Sequence, residues 1–470
     1  MALGLKNVQN AQLIKKVINI LHIITIILFV IYMVLNFYFI RKEKSMYLII
    51  PFYIPQLWTV LSVYYIETNA IFITEQDRYA FFTGATIKLL ALLIIFTLGT
   101  FLSLSFLYPY RKKYYAAEFK LKYVINNKTV DSEQIQKFVV IVCLIISIIL
   151  LSDGLITHLL NLGKVDRFNY INLSILANYL HLGWLYNFIY PIPFILGLLS
   201  TKKEYHKPIV VTLILLVIVN ILKMDKFTPF YQMGMYLCSS ILFNYPGLLK
   251  ILKRIKLNKF ILYSIIVLIL LLFIVMRVIS VYQKQFHLNL ADALSAIEYR
   301  ILGLQGHLWW GTDLMNDQVS DIERIQAIKQ EFYATIESIK GNDKNIKGIQ
   351  QLMIHVSPQK GWLAIENGVN FTMGYPAILI YLFGDMPAFS IIFLHGILYG
   401  LLIHILLLSY LKQRYPSLLL LSIVYVNVNY YLVMGTININ TTFLFSVILL
   451  LIIRVLFWGV NRQMYQTYKK

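Results

Sequence analysis

Long apolar runs separated by short polar segments dominate the chain. A helix needs roughly 20 apolar residues to cross a bilayer, and about eleven runs reach or approach that length. The pattern predicts an all-α polytopic membrane protein with about 11 (10 to 12) transmembrane helices. The predicted spans lie at 17–40, 46–66, 86–108, 138–158, 178–200, 208–224, 229–245, 260–282, 386–411, 417–434 and 441–460.

A shorter apolar piece at 371–384 is interrupted by Gly374, Pro376 and Gly384. It is too short to cross the membrane. We expect a re-entrant segment, which requires protein or water to cover its backbone.

One long polar segment, residues 284–370, interrupts this pattern and holds ten of the 22 acidic residues. Leucine and isoleucine recur there at steps of three and four, which predicts a helix over about 289–308. Ser320 and Glu323 form a capping-box pattern that predicts a second helix over about 321–340. Amphipathic helices outside a bilayer lie on its surface or cover a cavity. The whole chain, 1–470, is treated as one integral membrane domain.

Basic residues cluster in alternate loops, and short cytoplasmic loops carry the excess of Lys and Arg. This alternation predicts that 284–370 is external, whereas 109–137, 246–259 and the C-terminus are cytoplasmic. Two orientations of the N-terminus are left open. Eleven spans place it outside, whereas Lys15 and Lys16 favour the inside. The clusters are Arg41-Lys42-Lys44, Arg111-Lys112-Lys113, Lys202-Lys203-Lys207, Lys250-Lys253-Arg254-Lys256-Lys259, Lys412-Arg414 and Lys469-Lys470.

Composition supports the membrane class, since 59% of the residues are hydrophobic and 14% are charged. The net charge of +20 would suggest nucleic acid in a soluble protein. Here it indicates cytoplasmic loops that face anionic lipid, so we predict no nucleic-acid partner. Cys143 and Cys238 both lie in apolar runs and offer no metal-ligand spacing. The first run is too long for a cleavable signal peptide, which predicts a retained span.

The first loop helix carries residues suited to phosphate and proton chemistry. Arg300 and His307 are seven residues apart, so a regular helix would put them on one face. Arginine binds phosphate as a planar fork, and a neutral histidine can accept a hydroxyl proton. Gly303 and Gly306 between them would allow close backbone approach. The alternative is that Arg300 reaches lipid phosphate and His307 is an ordinary interface residue.

Further candidates surround this segment. Trp309 and Trp310 would stack on sugar rings or, alternatively, anchor at the interface. Cations at predicted outer ends favour an anionic ligand such as a lipid diphosphate, with local salt bridges to Asp166 and Asp225 as the alternative. These cations are Arg277, Lys226, Lys164 and Arg167. Carboxylates that could act as a base are Asp292, Glu298, Asp313 and Glu366. The sequence has no nucleotide-binding or zinc motif, so we predict no metal and no cofactor.

The layout resembles that of the Wzy-type polymerases of bacterial O-antigens, capsules and exopolysaccharides. Arg300 is followed by ten residues and then Gly311, similar to the Arg-x10-Gly pattern of that family's loops. Phe371-Thr-Met-Gly-Tyr-Pro-Ala377 and Met224-Asp-Lys-Phe227 are also similar to family segments. The resemblance implies a GT-C-like membrane glycosyltransferase of the cytoplasmic membrane. It would join undecaprenyl-diphosphate-linked oligosaccharide units externally, beside a flippase and a chain-length regulator.

Within such a reaction, the residue chemistry described above assigns a role to each candidate. His307 and Glu298 would be catalytic. Arg300, Arg277, Lys226 and Arg167 would bind diphosphate, and Trp309, Trp310 and Tyr375 would bind sugar. Two other functions stay open: a ligase with a different acceptor, and a flippase or other transporter. A transporter is expected to have evenly short loops, unlike the long segment 284–370.

Overall fold

The computed structural model describes residues 2–115, 122–125, 128–161, 165, 169–201, 203–224, 227–244, 276, 279–280, 283, 289–340, 345–371, 373–436, 443–444 and 446–452. Helices account for nearly all the regular structure of these parts. The helices of the first half are α1 (Ala2–Lys42), α2 (Ile50–Asn69), α3 (Ala85–Phe106), α4 (Tyr108–Tyr115), α5 (Ser132–Leu160), α6 (Tyr170–Leu173), α7 (Ile175–Asn178), α8 (Pro191–Leu199), α9 (His206–Leu222) and α10 (Phe227–Asn244).

The second half contains the helices of the polar segment and two long apolar helices. They are α11 (Leu290–Glu298), α12 (His307–Met315), α13 (Asp321–Ile339), α14 (Ile349–Val356), α15 (Pro358–Glu366), α16 (Ala377–Phe383), α17 (Asp385–Leu411) and α18 (Tyr415–Met434). Two short antiparallel hairpins complete the described structure. Strand β1 (Phe72–Ile73) pairs with β2 (Arg78–Tyr79), and β3 (Lys122–Ile125) pairs with β4 (Lys128–Asp131).

Six helices of the described parts are long and apolar enough to cross a membrane, which is consistent with an all-α membrane protein. They are Asn19–Lys42, Lys44–Asn69, Ala85–Phe106, Glu133–Leu160, Asp385–Leu411 and Tyr415–Met434. Each overlaps one predicted span. Most of the predicted span 260–282 and just over half of 441–460 lie outside the described residues, so the total of eleven stays a prediction.

The segment 178–200 is not the continuous helix that its apolar run predicts. Helix α7 ends at Asn178, a 3-10 turn covers Gly183–Phe188, and α8 begins only at Pro191. Proline lacks the N–H of a regular helical turn and restricts the residue before it, so Pro191 begins a helix more readily than it continues one. A single span over 178–200 is therefore wrong as a helix assignment.

The segment before α16 has the protein cover that a re-entrant segment requires. Residues 373–380 are all buried. The Gln56 side chain in α2 donates hydrogen bonds to the carbonyls of Tyr375 (3.1 Å) and Leu432 (2.9 Å). A Cβ on Gly374 would lie 2.4 Å from the Met434 carbonyl oxygen, so only glycine allows this approach. The segment thus lies between α2 and the end of α18.

The centre of the bundle is the contact between α3 and α17. A Cβ on Gly396 would lie 2.3 Å from the Phe96 carbonyl oxygen, and one on Gly99 would lie 2.6 Å from that of Phe393. Small residues let two apolar helices approach closely where lipid supplies no hydrophobic driving force.

A carboxylate caps the start of α3. Glu67, at the end of α2, accepts hydrogen bonds from the backbone N–H groups of Gly84 (2.7 Å), Ala85 (2.9 Å) and Thr86 (3.1 Å). The first N–H groups of a helix have no partner within it, and an anion there is stabilised by the helix dipole. This contact fixes the corner between α2 and α3, beside the site.

Candidate functional site

The segment that carries Arg300 departs from a regular helix. Helix α11 ends at Glu298, and Tyr299–Gly303 forms one π-helical turn before α12 begins at His307. The continuous helix predicted over 289–308 is therefore interrupted. The cause is contact with α2, because a Cβ on Gly306 would lie 2.5 Å from the backbone nitrogen of Val63. The close approach predicted at Gly306 is confirmed.

Three side chains of α2 hold this turn. The Trp58 indole N–H donates to the Ile301 carbonyl at 2.7 Å, and the Ser62 hydroxyl donates to the Gly303 carbonyl at 3.0 Å. The Tyr65 hydroxyl donates to the Glu298 carboxylate at 2.8 Å. These donors recur at helical spacing on one face of α2. Arg300 lies within the anchored turn and is itself exposed.

His307 lies inside the protein, unlike Arg300. The prediction that both share one face is wrong, because the π-helical turn and the turn at 304–306 change the register between them. The Nδ1 atom of His307 lies 2.5 Å from the Leu304 carbonyl oxygen, which assigns the proton to Nδ1. Nε2 is buried and has no hydrogen-bond partner among the described residues. Burial lowers the pKa of His307, opposed by the nearby charge of Glu75.

A hairpin missed by the sequence analysis completes the surroundings of His307. The Tyr299 hydroxyl donates to the Glu75 carboxylate, and the Gln76 amide donates to the His307 carbonyl at 2.7 Å. Burial and Glu75 raise the pKa of Tyr299. Glu75 lies in the turn Thr74-Glu-Gln-Asp77 between β1 and β2. The sequence signal that could have predicted this hairpin is the run of polar residues at its turn, between two short strands.

The aromatic residues predicted to bind sugar are all buried. Trp309 and Trp310 donate their indole N–H groups to the carbonyls of Ala85 (2.9 Å) and Phe81 (3.1 Å). They therefore fix α12 against the start of α3. The Tyr375 hydroxyl lies 3.3 Å from Nδ1 of His395 in the interior. This geometry gives all three residues a packing role, and the sugar-binding role stays a prediction.

A cavity of about 130 Å³ lies between α2, α10 and α18, next to the anchored turn. Trp58, which holds the Ile301 carbonyl, forms part of its wall, and so does Gln305 between Arg300 and His307. Aromatic rings, hydroxyls and amides are the groups that stack on sugars and bond to their hydroxyls. The other polar or aromatic lining residues are Tyr190, Thr228, Tyr231, Gln232, Tyr236, Asn429 and Tyr430.

Arg300 is not itself a lining residue of this cavity. The other three predicted phosphate ligands lie outside the described residues: Arg277, Lys226 and Arg167. Lys226 directly precedes α10, whose second residue, Thr228, lines the cavity. Arg300 is thus the predicted phosphate ligand whose position the structure gives.

The predicted carboxylate bases differ in their surroundings. Asp313 pairs with Lys88 at 2.5 Å, and Lys88 also pairs with Asp385 at 3.0 Å, which ties together α3, α12 and α17. Burial raises the pKa of Asp313, with Lys88 opposing the shift. Asp292 and Glu366 are exposed, whereas Glu298 is held by Tyr65 beside Arg300. Across the described residues, no three His, Cys, Asp or Glu side chains are grouped to hold a metal ion.

Comparison with known proteins gives one partial match. A family of unknown function, DUF6418, matches residues 342–458. The matched region contains residues 371–384, α17 and α18, but not Arg300 or His307. No curated protein and no solved structure matches the chain.

Proposed function

We propose that this protein is a membrane glycosyltransferase that polymerises oligosaccharide repeat units linked to undecaprenyl diphosphate. The reaction takes place on the outer face of the cytoplasmic membrane during capsule, exopolysaccharide or O-antigen synthesis. One observation carries the proposal. The turn that bears Arg300, together with Glu298 just before it, is anchored on α2, beside a cavity lined by aromatic, hydroxyl and amide groups.

In this proposal Arg300 binds the diphosphate of the donor. A guanidinium can donate two parallel hydrogen bonds to phosphate oxygens, and each charged bond is short and strong. The anchoring of the turn by Trp58 and Ser62 keeps the backbone of Arg300 in place before the substrate arrives. A positioned cation stabilises the charge that develops on a leaving diphosphate.

The reaction exchanges one bond at the anomeric carbon of the growing chain. The carbon–oxygen bond to the lipid diphosphate breaks, and the diphosphate leaves with the electron pair. A bond forms to a hydroxyl oxygen of the next lipid-linked unit, and the hydroxyl proton passes to a base. Glu298 and His307 are the proposed bases, since Glu298 lies at the exposed turn and Nε2 of His307 is unprotonated. The donor bond supplies the driving force, so the step needs no nucleotide.

Gene deletion with analysis of cellular polysaccharide tests this function. We expect a deletion strain to export single repeat units and to lack long polymer, with recovery on complementation. Lipid-linked units confined to the cytoplasmic face would instead indicate a transporter. Long lipid-linked polymer that is not transferred to its final acceptor would indicate a ligase. Either result would contradict the polymerase proposal.

A further inference from the structure

Helix α13 docks on the protein through polar residues. Arg324 donates to the carbonyls of Ile380 and Tyr381, both at 2.7 Å, at the C-terminal end of α16. Two helical turns further along the same face, Glu331 accepts a hydrogen bond from the Gly348 N–H at 2.6 Å. The capping box of Ser320 and Glu323 fixes the start of the helix. A charged, hydrogen-bonded face is therefore the face turned to the protein.

The apolar face of α13 points away from the protein. Ile322 and Phe332 are both 69% exposed, Ile325 is 52% exposed and Ile339 is 46% exposed. Together with Ile336 they recur at helical spacing and form one continuous stripe. A helix surrounded by water has the reverse arrangement, with its apolar face packed inward. We refer to these five residues, 322, 325, 332, 336 and 339, as the outer stripe.

One residue of the outer stripe, Phe332, shares a cavity with the candidate membrane-spanning helix α17. Ile328 and Phe332 line a cavity of about 330 Å³ together with Ile391 and His395 of α17. At about 1.5 Å per residue, Ile391 and His395 lie roughly 9 and 15 Å along α17 from its first residue. Helix α13 therefore runs beside the first turns of a candidate span. Because Phe332 is both a wall residue and exposed, the cavity opens toward the outer stripe.

One cation lies within the same exposed arc. Lys329 is exposed and follows Ile325 by four residues and precedes Phe332 by three, so its side chain begins between them. A lysine among apolar residues at a membrane boundary keeps its stem in the apolar layer and its ammonium at lipid phosphate. A two-fold contact through this face would bring two lysine-bearing stripes together. The charge therefore favours anionic lipid over a second copy of the chain.

We propose that the outer stripe of α13 is a binding surface for anionic phospholipid. Acyl chains lie along the stripe, one chain enters the cavity past Phe332, and Lys329 meets the headgroup phosphate. The inference does not depend on the polymerase proposal, since it rests on the orientation of α13, the cavity beside Phe332 and the charge of Lys329. It makes α13 a membrane-surface anchor for the segment that carries the candidate site.

Lipid quenching at two positions of one helix tests the surface directly. The full chain, with Cys143 and Cys238 replaced by alanine, would carry one cysteine at Phe332→Cys or, as the matched control, at Gln330→Cys, an exposed position outside the outer stripe. An environment-sensitive fluorophore is attached to each, and the protein is reconstituted into phosphatidylcholine and phosphatidylglycerol bilayers with spin-labelled acyl chains. We expect strong lipid quenching and blue-shifted emission at 332, and aqueous iodide quenching at 330.

The other outcomes at position 332 contradict the proposal. Iodide quenching without lipid quenching would place the stripe in water. Protection from both quenchers would show that protein covers it, either another part of this chain or a second copy.

A charge exchange tests the headgroup specificity. Lys329→Gln should weaken the preference for phosphatidylglycerol at the 332 probe about fivefold, the effect of one cation near an anionic surface. Gln330→Glu changes the net charge equally at an exposed position outside the outer stripe and should leave the preference nearly unchanged. Equal effects of the two variants would show a general charge effect and would overturn the assignment to Lys329.

Discussion

Gly306 is in backbone contact with Val63: a Cβ on the glycine would lie 2.5 Å from the valine nitrogen. This contact joins the polar segment to α2 at a point between Gln305 and His307. Arg300 lies shortly before it in the sequence. Three hydrogen bonds from α2 then fix the turn. The geometry of the proposed site therefore depends on a close approach that any larger side chain would prevent.

Replacing Gly306 by alanine should separate the turn from α2. Overpacking of this kind destabilises by about 1–3 kcal/mol, so we expect a lower melting temperature of the purified protein and less polymer. Gly234→Ala is the matched control, because a Cβ on that helical glycine meets no atom within 4 Å. An unchanged melting temperature and polymer length in Gly306→Ala would show that the contact is not required.

Replacing Glu67 by glutamine should destabilise the corner between α2 and α3. The variant turns an acceptor for several backbone N–H groups into a neutral amide that can itself donate. Loss of charged hydrogen bonds to buried donors costs about 1.5–3 kcal/mol. Thermal unfolding in detergent measures this, with exposed Glu366→Gln as a control expected to change stability by less than about 0.5 kcal/mol. Equal stability of the two variants would contradict a stabilising role for the Glu67 cap of α3.

The pH dependence of polymerisation tests the role of His307. Burial lowers its pKa, so the neutral form that can act as a base persists to lower pH than for an ordinary histidine. We therefore expect the rate to fall on the acid side with an apparent pKa below about 6.5, which is the ordinary pKa of histidine. His307→Gln should lower the rate and remove that acid-side fall. An unchanged acid-side fall in the variant would assign the titration to another group, with Glu298 the next to test.

The same shift affects stability with a defined sign. Since the folded protein holds His307 neutral, an unfolded chain binds more protons once the pH falls below about 6.5. The contribution of His307 to stability is therefore present above that pH and decreases below it. Melting temperatures of wild type and His307→Gln, measured across this range, should differ in slope below about pH 6.5. Parallel curves would contradict a neutral buried histidine.

Local patterns in the sequence predicted several elements of the fold. Apolar runs near Ala85, Asp385 and Tyr415 correspond to candidate spans. The Ser320 and Glu323 pair gave the start of α13, where the capping box is present. These features depend on residues a few positions apart, so they could be recognised without tertiary information.

Features that depend on distant contacts could not be predicted. The apolar steps of three and four continue through Tyr299–Gly303, but contact with α2 widens that turn. Trp309 resembles an interfacial anchor in sequence, yet its indole bonds to Ala85 in the interior. The ion pairs of Lys88 join residues from three helices far apart in the chain. Periodicity also revealed the apolar stripe of α13 without showing that it faces outward.

The central claim is that Arg300 binds diphosphate during polymerisation. Losing one charged hydrogen bond to phosphate costs about 1.5–3 kcal/mol, which is roughly one to two orders of magnitude in rate. Lysine keeps the charge but not the fork, so Arg300→Lys should recover only part of the activity. Lys340→Ala removes an exposed cation of the same polar segment, one that pairs with Glu337, and is the matched control.

The most direct measurement is the length distribution of polymer made by purified protein in proteoliposomes supplied with lipid-diphosphate-linked repeat units. The account predicts long products with wild type and Lys340→Ala, few with Arg300→Lys and almost none with Arg300→Ala, at equal amounts of folded protein. Wild-type product lengths from both Arg300 variants would contradict the account and exclude Arg300 from the site.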